Sequence, residues 1–216
     1  MNVDDLRATA QHHFLDLLGV VDLHDRDPLP EAFDQIVLLG PLEPGFWGHL
    51  AAQPEWAGAS PDPIDEWSRR TITAIANKFG GCAVFPFGRP PYAPFIDWAL
   101  RSGHFWPSPV SFLIHDRAGL MVSFRGAIAF SGHSLPRTSG RNPCLSCTAK
   151  PCLTACPGLA VVGEKLDIAA CHETLSLPAG QDCMDTGCKI RRTCPVSMTY
   201  ERSPEQSAHH MKAFHP

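Results

Sequence analysis

Cysteine is the residue type with the greatest chemical potential in this sequence, because eight of the nine cysteines fall between residues 144 and 195. The first four have the spacing C-x2-C-x4-C-x3-C-P, and the other four lie farther apart and end in a second C-P pair. Thiolates are soft ligands, and a 4Fe–4S cluster takes four of them. The eight cysteines therefore predict two 4Fe–4S clusters.

The bacterial ferredoxin pattern predicts how the cysteines divide between the clusters. In that pattern the fourth cysteine of a run binds the cluster opposite its own run. Applied here, the rule gives a first cluster held by Cys144, Cys147, Cys152 and Cys194. It gives a second cluster held by Cys156, Cys171, Cys183 and Cys188.

Two other uses of these cysteines stay open. Two four-cysteine zinc sites would make the segment a zinc-stapled interaction module, although zinc sites usually combine two C-x2-C pairs and only Cys144 and Cys147 form one here. A disulfide framework is the other alternative. The chain opens MNVDDLRATA, without the apolar segment of a signal peptide. This opening predicts a cytoplasmic protein, where disulfides are rare.

The composition is that of an ordinary globular protein. The chain has 216 residues, of which 44% are apolar, enough to bury a sizeable core. The net charge of −4 gives no indication of nucleic-acid binding. No apolar run reaches the roughly 18 residues that span a bilayer, so no membrane partner is predicted. Neither a Rossmann G-x-G-x-x-G nor a P-loop is present in the sequence.

Hydrophobic periodicity and turn residues predict an α+β fold. The predicted helices cover residues 3–18, a short stretch around Phe46 and Trp47, 62–79 and 95–101. The predicted strands cover 20–23, 35–40 and 82–85, followed by a β-hairpin of 111–116 and 120–130. Cys82, outside the cluster spacing, is predicted to be a buried, inert core thiol. A boundary near Pro136 divides the chain into an N-terminal domain (1–136), a cysteine domain (137–200) and a mobile or surface-lying tail (201–216).

Three polar residues before the cysteine segment are candidates for cofactor binding. His115 ends a predicted strand just before a turn, where it is either a ligand or a hydrogen-bonded turn histidine. Arg125 falls within a predicted strand, where it either meets an acceptor of a cofactor or forms an internal ion pair. His104 flanks the same region.

Four cations lie among the cluster cysteines, namely Lys150, Lys189, Arg191 and Arg192. A 4Fe–4S cluster with four thiolates is a net anion, so nearby cations raise its reduction potential and favour an acidic redox partner. For each of them taken singly, solvated surface charge is the alternative.

The stretch RSGHFWPSPVSFLIHDRAGLMVSFRGAIAF, followed by the two cysteine runs, resembles the corrinoid-dependent reductases, a group that includes epoxyqueuosine reductase and the reductive dehalogenases. The matching positions are Ser102-Gly103, Phe112-Leu113-Ile114, Gly119, Phe124-Arg125-Gly126 and the intervening Cys171. The hairpin with Ile114-His115 is also similar to the cobalamin-processing protein. The chain as a whole most resembles small bacterial proteins described only as ferredoxins.

This resemblance covers roughly residues 90–195 and implies a nitroreductase-like or flavin-reductase-like N-terminal domain followed by a ferredoxin-like domain with two 4Fe–4S clusters. It implies an electron-transfer protein with a redox partner protein. It also implies, as the alternative, a corrinoid-dependent reductase or cobalamin-processing enzyme, with cobalamin or FMN contacted by His104, His115 and Arg125. Two departures stand against catalysis: residues 105–109 lack the lysine of the reductases' loop, and Asp97 is out of register with their catalytic aspartate.

Overall fold

Helices and strands are mixed along the chain, so the coarse prediction of an α+β protein is confirmed. The structure is a computed structural model that describes residues 2–30, 32–58, 60–162 and 165–216. The helices are α1 (Val3–His12), α2 (Phe46–Ala51), α3 (Pro54–Ala57), α4 (Pro63–Lys78), α5 (Phe95–Arg101), α6 (Ile168–Leu175), α7 (Gln181–Thr186), α8 (Lys189–Arg192), α9 (Pro195–Thr199) and α10 (Pro204–Phe214). The strands are β1 (Leu15–Asp22), β2 (Gln35–Pro41), β3 (Cys82–Val84), β4 (Phe105–Pro107), β5 (Leu113–His115), β6 (Gly126–Phe130), β7 (Val161–Val162) and β8 (Lys165–Leu166).

The chain forms two compact units, and each is made of two separate segments. The first unit contains Met1–His104 and Ser123–Gly140, and the second contains Phe105–Val122 and Arg141–Pro216. This partition differs from a single division near Pro136, because residues 105–122 belong with the cysteine segment.

The first unit is built on an antiparallel four-stranded sheet in the order β1-β2-β6-β3. Every residue of β2 is buried, as its continuous apolar sequence predicts. The predicted helix over 62–79 is also confirmed as α4, whose apolar stripe packs into the core of this unit. Phe46 is buried against Trp67, with ring centroids 5.5 Å apart, so this aromatic residue belongs to the core of the first unit.

The predicted helix over residues 3–18 is wrong beyond His12. Helix α1 ends there, Phe14 adopts a left-handed backbone with φ of 53°, and Leu15 begins a strand. The sequence LDLLGVVD of β1 pairs with β2 from Leu15 to Asp22, with one register shift between Leu17 and Gly19. A short apolar segment is compatible with both a helix and a strand. Its packing against neighbouring elements therefore decides which of the two forms.

The predicted β-hairpin is also wrong. Strand β5 pairs with β4 inside the second unit, whereas β6 pairs with β2 and β3 inside the first. The predicted turn does form, because His115 and Gly119 exchange backbone hydrogen bonds of 3.1 and 3.0 Å. The ladder stops after that one bridge, since residues 120–125 are not a strand.

The second unit consists of short elements that carry the cysteines. The chain after residue 200, predicted to be a mobile or surface-lying tail, instead forms the helix α10. The Ser203 hydroxyl caps this helix by accepting a hydrogen bond of 3.1 Å from the Gln206 N–H. Gln206 and Ser207 are buried. Within the described ranges, no helix combines the length and apolar character needed to cross a membrane.

Candidate metal centres

Four cysteines of the second unit share one cavity. Cys144, Cys147, Cys152 and Cys194 line a cavity of about 320 Å³. Its walls also include apolar side chains from both segments of this unit, among them Ile114, Leu120 and Val196. The cavity therefore presents several thiols within a largely apolar enclosure.

Three of these four cysteines lie in or directly before short helical turns. Cys144 lies in a 3-10 turn, Pro143–Leu145, whose preceding Asn142 accepts a hydrogen bond of 3.0 Å from the Cys144 N–H. Cys152 lies in a second 3-10 turn, Pro151–Leu153, entered through a left-handed residue with φ of 40°. Cys194 immediately precedes α9, and the proline after it occupies the first helical position.

The pKa values of these thiols are shifted mainly by burial and by the other thiols of the same set. Burial raises the pKa of the Cys144 thiol, and the thiols of Cys152, Cys194 and Cys147 raise it further. Lys150, an exposed residue, acts in the opposite direction on Cys144. Burial likewise raises the pKa of Cys152, with Cys194 and Cys147 contributing in the same sense.

In a second set of four thiols, burial and the neighbouring thiols likewise raise the pKa of one member. Burial is the main cause that raises the pKa of Cys171 to about 11, and the thiols of Cys188, Cys156 and Cys183 contribute to this rise. Cys171 lies on α6, Cys183 lies on α7, and Cys188 precedes α8. The ferredoxin crossing rule assigns these four thiols to one cluster and the four cavity-lining thiols to the other, and this assignment stays a prediction.

Backbone N–H groups are aimed at sulfur in the second set. Ala160 donates a hydrogen bond of 3.4 Å to the Cys156 Sγ. Burial raises the pKa of Cys183, while the Lys189 N–H, which donates to this thiol, lowers it. Because the raised pKa values keep isolated thiols protonated near neutral pH, metal binding must release their protons. The donor chemistry of both sets, four thiols each, suits a 4Fe–4S cluster.

Cys82 lies outside both sets. The prediction that it is a buried core thiol is wrong, because its residue is exposed. The physical reason is its place on β3, which is an edge strand of the sheet in the first unit. An edge strand has a neighbour on one side only, so alternate side chains near its end reach water.

His115 and His104 are the two predicted histidine contacts, and the first belongs to the second unit. The His115 side chain is fully buried, and its Nδ1 accepts hydrogen bonds from the N–H groups of Arg117 (3.3 Å) and Ala118 (3.2 Å). Its ring lies 4.7 Å from that of Phe105. This geometry is that of a hydrogen-bonded turn histidine, with Nδ1 used as an acceptor. His104, in the first unit, is half-buried, and its Nε2 lies 2.9 Å from the Thr138 Oγ1.

Arg125 of the first unit forms an internal ion pair. Its Nη1 lies 3.9 Å from the Asp65 Oδ1, and the residue precedes β6 rather than lying within it. Burial lowers the pKa of Arg125 and raises the pKa of Asp65, while each charge acts favourably on the other. Among the residues that the structure describes, the buried Nε of Arg125 has no hydrogen-bond partner.

The four cations predicted near the cysteines have different surroundings. Lys150 and Lys189 are exposed. The Arg192 guanidinium pairs with Asp182. The Arg191 guanidinium lies 4.5 Å from the centre of the Phe112 ring and donates a hydrogen bond to the Leu120 carbonyl. Sequence reasoning missed these last contacts because it placed residues 105–122 in the other domain.

Comparison of the chain with protein-family models, with curated proteins and with solved structures found no match.

Proposed function

We propose that this protein is an electron-transfer protein whose second unit holds two 4Fe–4S clusters. The observation that carries the proposal is that Cys144, Cys147, Cys152 and Cys194 line one cavity, which leaves Cys156, Cys171, Cys183 and Cys188 as a second set of four thiols in the same unit. When bound, each cluster supplies a site that accepts and releases one electron. Two such sites in one unit give a path for single electrons to and from a redox partner protein.

The sulfurs are not arranged as a preformed zinc site. A tetrahedral zinc site with bonds of about 2.3 Å brings its sulfurs to about 3.8 Å from one another. Among the eight cysteines of the second unit, no three sulfurs lie within 4.8 Å of one another. Zinc binding would require the sulfurs to close in. The four irons of a cluster each bind one thiolate, so a cluster needs its four sulfurs farther apart than a single ion does.

The surroundings of the thiols suit electron transfer. Apolar side chains such as Ile114 and Leu120 form part of the cavity wall around the first set. The N–H groups of Ala160 and Lys189 donate to sulfurs of the second set, where such hydrogen bonds stabilise the added negative charge of a reduced cluster. In this proposal the chain's own residues hold the clusters and tune their charge.

Anaerobic metal analysis tests this proposal. Protein purified without oxygen is expected to contain about eight irons and eight acid-labile sulfides per chain, with EPR signals of reduced 4Fe–4S clusters. Cys82→Ala is the matched control, since this exposed thiol belongs to neither set, and it should leave the iron content unchanged. About two zinc ions per chain without sulfide would contradict the proposal.

The second candidate function is a corrinoid- or flavin-using reductase, an oxidoreductase whose first unit has a nitroreductase-like fold. The specific observation in its favour is Arg125, whose buried Nε is unpartnered in the described part of the chain and could donate to a cofactor acceptor. His104 belongs to the same unit as Arg125, whereas His115 belongs to the other.

Titration with cobalamin or FMN, followed by absorbance, tests this candidate. Binding at micromolar concentration that is weakened by Arg125→Met would support it. Arg7→Met, which alters an exposed arginine of the same unit, serves as the control. Absence of binding by both cofactors would leave docking of a redox partner as the role of the first unit.

A further inference from the structure

Arg191 carries a fixed positive charge into the second unit. It lies on α8, midway between Cys188 and Cys194 in the sequence. Its guanidinium lies 4.5 Å from the centre of the Phe112 ring and donates to the Leu120 carbonyl. The residue is partly buried, and burial is the main cause that lowers the pKa of its guanidinium. An arginine remains protonated despite such a shift.

No carboxylate of the described residues pairs with Arg191. The next residue, Arg192, differs in this respect, because its guanidinium is neutralised by Asp182. A desolvated charge without a counterion is unfavourable. Cys188, a member of the second thiol set, directly precedes α8, and Arg191 lies three residues after it, so the two residues are neighbours across the first turn of this helix. An anionic cluster bound by that set would therefore supply the counterion of Arg191.

We infer that Arg191 is the built-in countercharge of the cluster held by Cys156, Cys171, Cys183 and Cys188, and that it raises the reduction potential of this cluster. The inference rests on the proposed function. A 4Fe–4S core of charge 2+ with four thiolates has a net charge of −2, and one electron from the redox partner takes it to −3. A nearby fixed cation stabilises the reduced form more than the oxidised form.

The effect is expected to be larger on the second cluster than on the first. Arg191 lies within one turn of α8 from Cys188 of the second set. Toward the first set, its guanidinium contacts only the carbonyl of Leu120, a residue of the cavity wall, among the contacts given for the described residues. The cation that acts on the first set, Lys150, is exposed, so water screens its charge. Arg191 is thus a positioning and tuning residue that distinguishes two otherwise similar clusters.

Redox titration of three variants, followed by EPR, tests the inference. The variants are Arg191→Met, which removes the charge, Arg191→Lys, which keeps it, and the matched control Arg192→Met. The second cluster is identified as the one whose signal is lost in Cys171→Ala. The expected result is a lower midpoint potential of the second cluster in Arg191→Met, with a smaller change in the first cluster. Arg191→Lys should stay near the wild-type potential, and Arg192→Met should change it less than Arg191→Met does.

Each alternative result has a distinct meaning. Unchanged potentials in Arg191→Met with full iron content would overturn the countercharge, while the proposed function would stand. An equal drop in Arg191→Met and Arg191→Lys would overturn it too, since the contacts rather than the charge would then matter. Loss of the second cluster from Arg191→Met but not from Arg191→Lys supports the inference, and its loss from both overturns it. Wild-type protein without iron and sulfide would instead overturn the proposed function.

Discussion

Gly119 lies directly against Ser197 in the second unit. A Cβ placed on Gly119 would come within 2.5 Å of the Ser197 backbone nitrogen, and Gly119 has a φ of 57°. The Ser197 hydroxyl also accepts a hydrogen bond of 2.8 Å from the Leu120 N–H. The turn after β5 is therefore held against α9, the helix that follows Cys194. This close approach joins residues 105–122 to the cysteine segment.

Gly119→Ala is expected to destabilise the second unit. The added methyl group meets backbone atoms that cannot move aside, and the left-handed φ adds strain. We expect a loss of about 3 kcal/mol in the free energy of unfolding. Urea denaturation of the holoprotein, followed by its visible absorbance, measures the change.

Gly132→Ala, in the first unit, is the control for backbone strain alone, and urea denaturation followed by tryptophan fluorescence measures its loss. Gly132 also has a left-handed φ, of 66°, but a Cβ there meets no atom within 4 Å. Only strain remains, and it costs about 1 kcal/mol. Equal losses in the two variants would show that the contact with Ser197 contributes nothing.

The sequence predicted the elements whose patterns are strong and local. The apolar run of β2 and the capped, proline-initiated α4 were correct because their burial and end signals are written in consecutive residues. The two sets of thiols could be proposed because metal-ligand spacing is likewise a local pattern. These features needed no knowledge of which distant segments pack together.

The remaining errors come from tertiary contacts. Residues 15–18 form a strand because β2 lies beside them, and a helical pattern in one segment cannot reveal that neighbour. The strands β5 and β6 have sequences that suit a hairpin, yet each finds a different partner. The apolar residues that follow Cys82 are typical of a core strand. Only the strand order shows that β3 lies at the edge of the sheet.

Asp27 is expected to make the first unit sensitive to acid. Burial alone raises the pKa of its carboxyl, but hydrogen bonds from the His24 N–H, Trp98 and Arg101 outweigh burial and lower it. The donors from His24 and Trp98 each lie 2.7 Å from a carboxylate oxygen. Asp27→Asn should cost about 3 kcal/mol at neutral pH, because it leaves the buried Arg101 interaction without a charge.

The sign of this pH dependence follows from the lowered pKa. The ionised Asp27 contributes its full stability above the unfolded pKa of about 3.9, and this contribution is lost as the pH falls through the lower folded pKa. The difference between wild type and Asp27→Asn should therefore shrink below about pH 4. Urea denaturation followed by tryptophan fluorescence reports mainly on this unit, which contains Trp98. Asp25→Asn, at an exposed aspartate two residues away, should change stability little at any pH.

Helix α10 is expected to protect the second thiol set. Its Ser207 lies so close to Gly187 that a Cβ on Gly187 would be 2.5 Å from the Ser207 Cβ. Gly187 follows α7, which carries Cys183. Ending the chain after Arg202 should thus expose this set and speed the loss of its cluster to a chelator several-fold. The decay of visible absorbance measures the rate.

Two point variants separate the packing of α10 from the length of the chain. Ser207→Leu forces a larger side chain against Gly187 and should reproduce the truncation. Lys212→Ala alters an exposed residue of the same helix and should behave as wild type. A truncated chain that keeps its clusters as long as the full chain does would contradict this role of α10.

The last prediction concerns the crossed use of Cys194 and Cys171. Cys194 follows the second run in sequence, but its thiol is an electrostatic neighbour of Cys144 and Cys152. Cys194→Ala should therefore damage the first cluster and leave the ligands of the second complete. Cys171→Ala should do the opposite, and Cys82→Ala should leave both clusters intact. Mössbauer or EPR spectra of the three variants distinguish these outcomes. If Cys194→Ala instead removed the cluster that depends on Cys171, each run would hold its own cluster and the crossed assignment would be wrong.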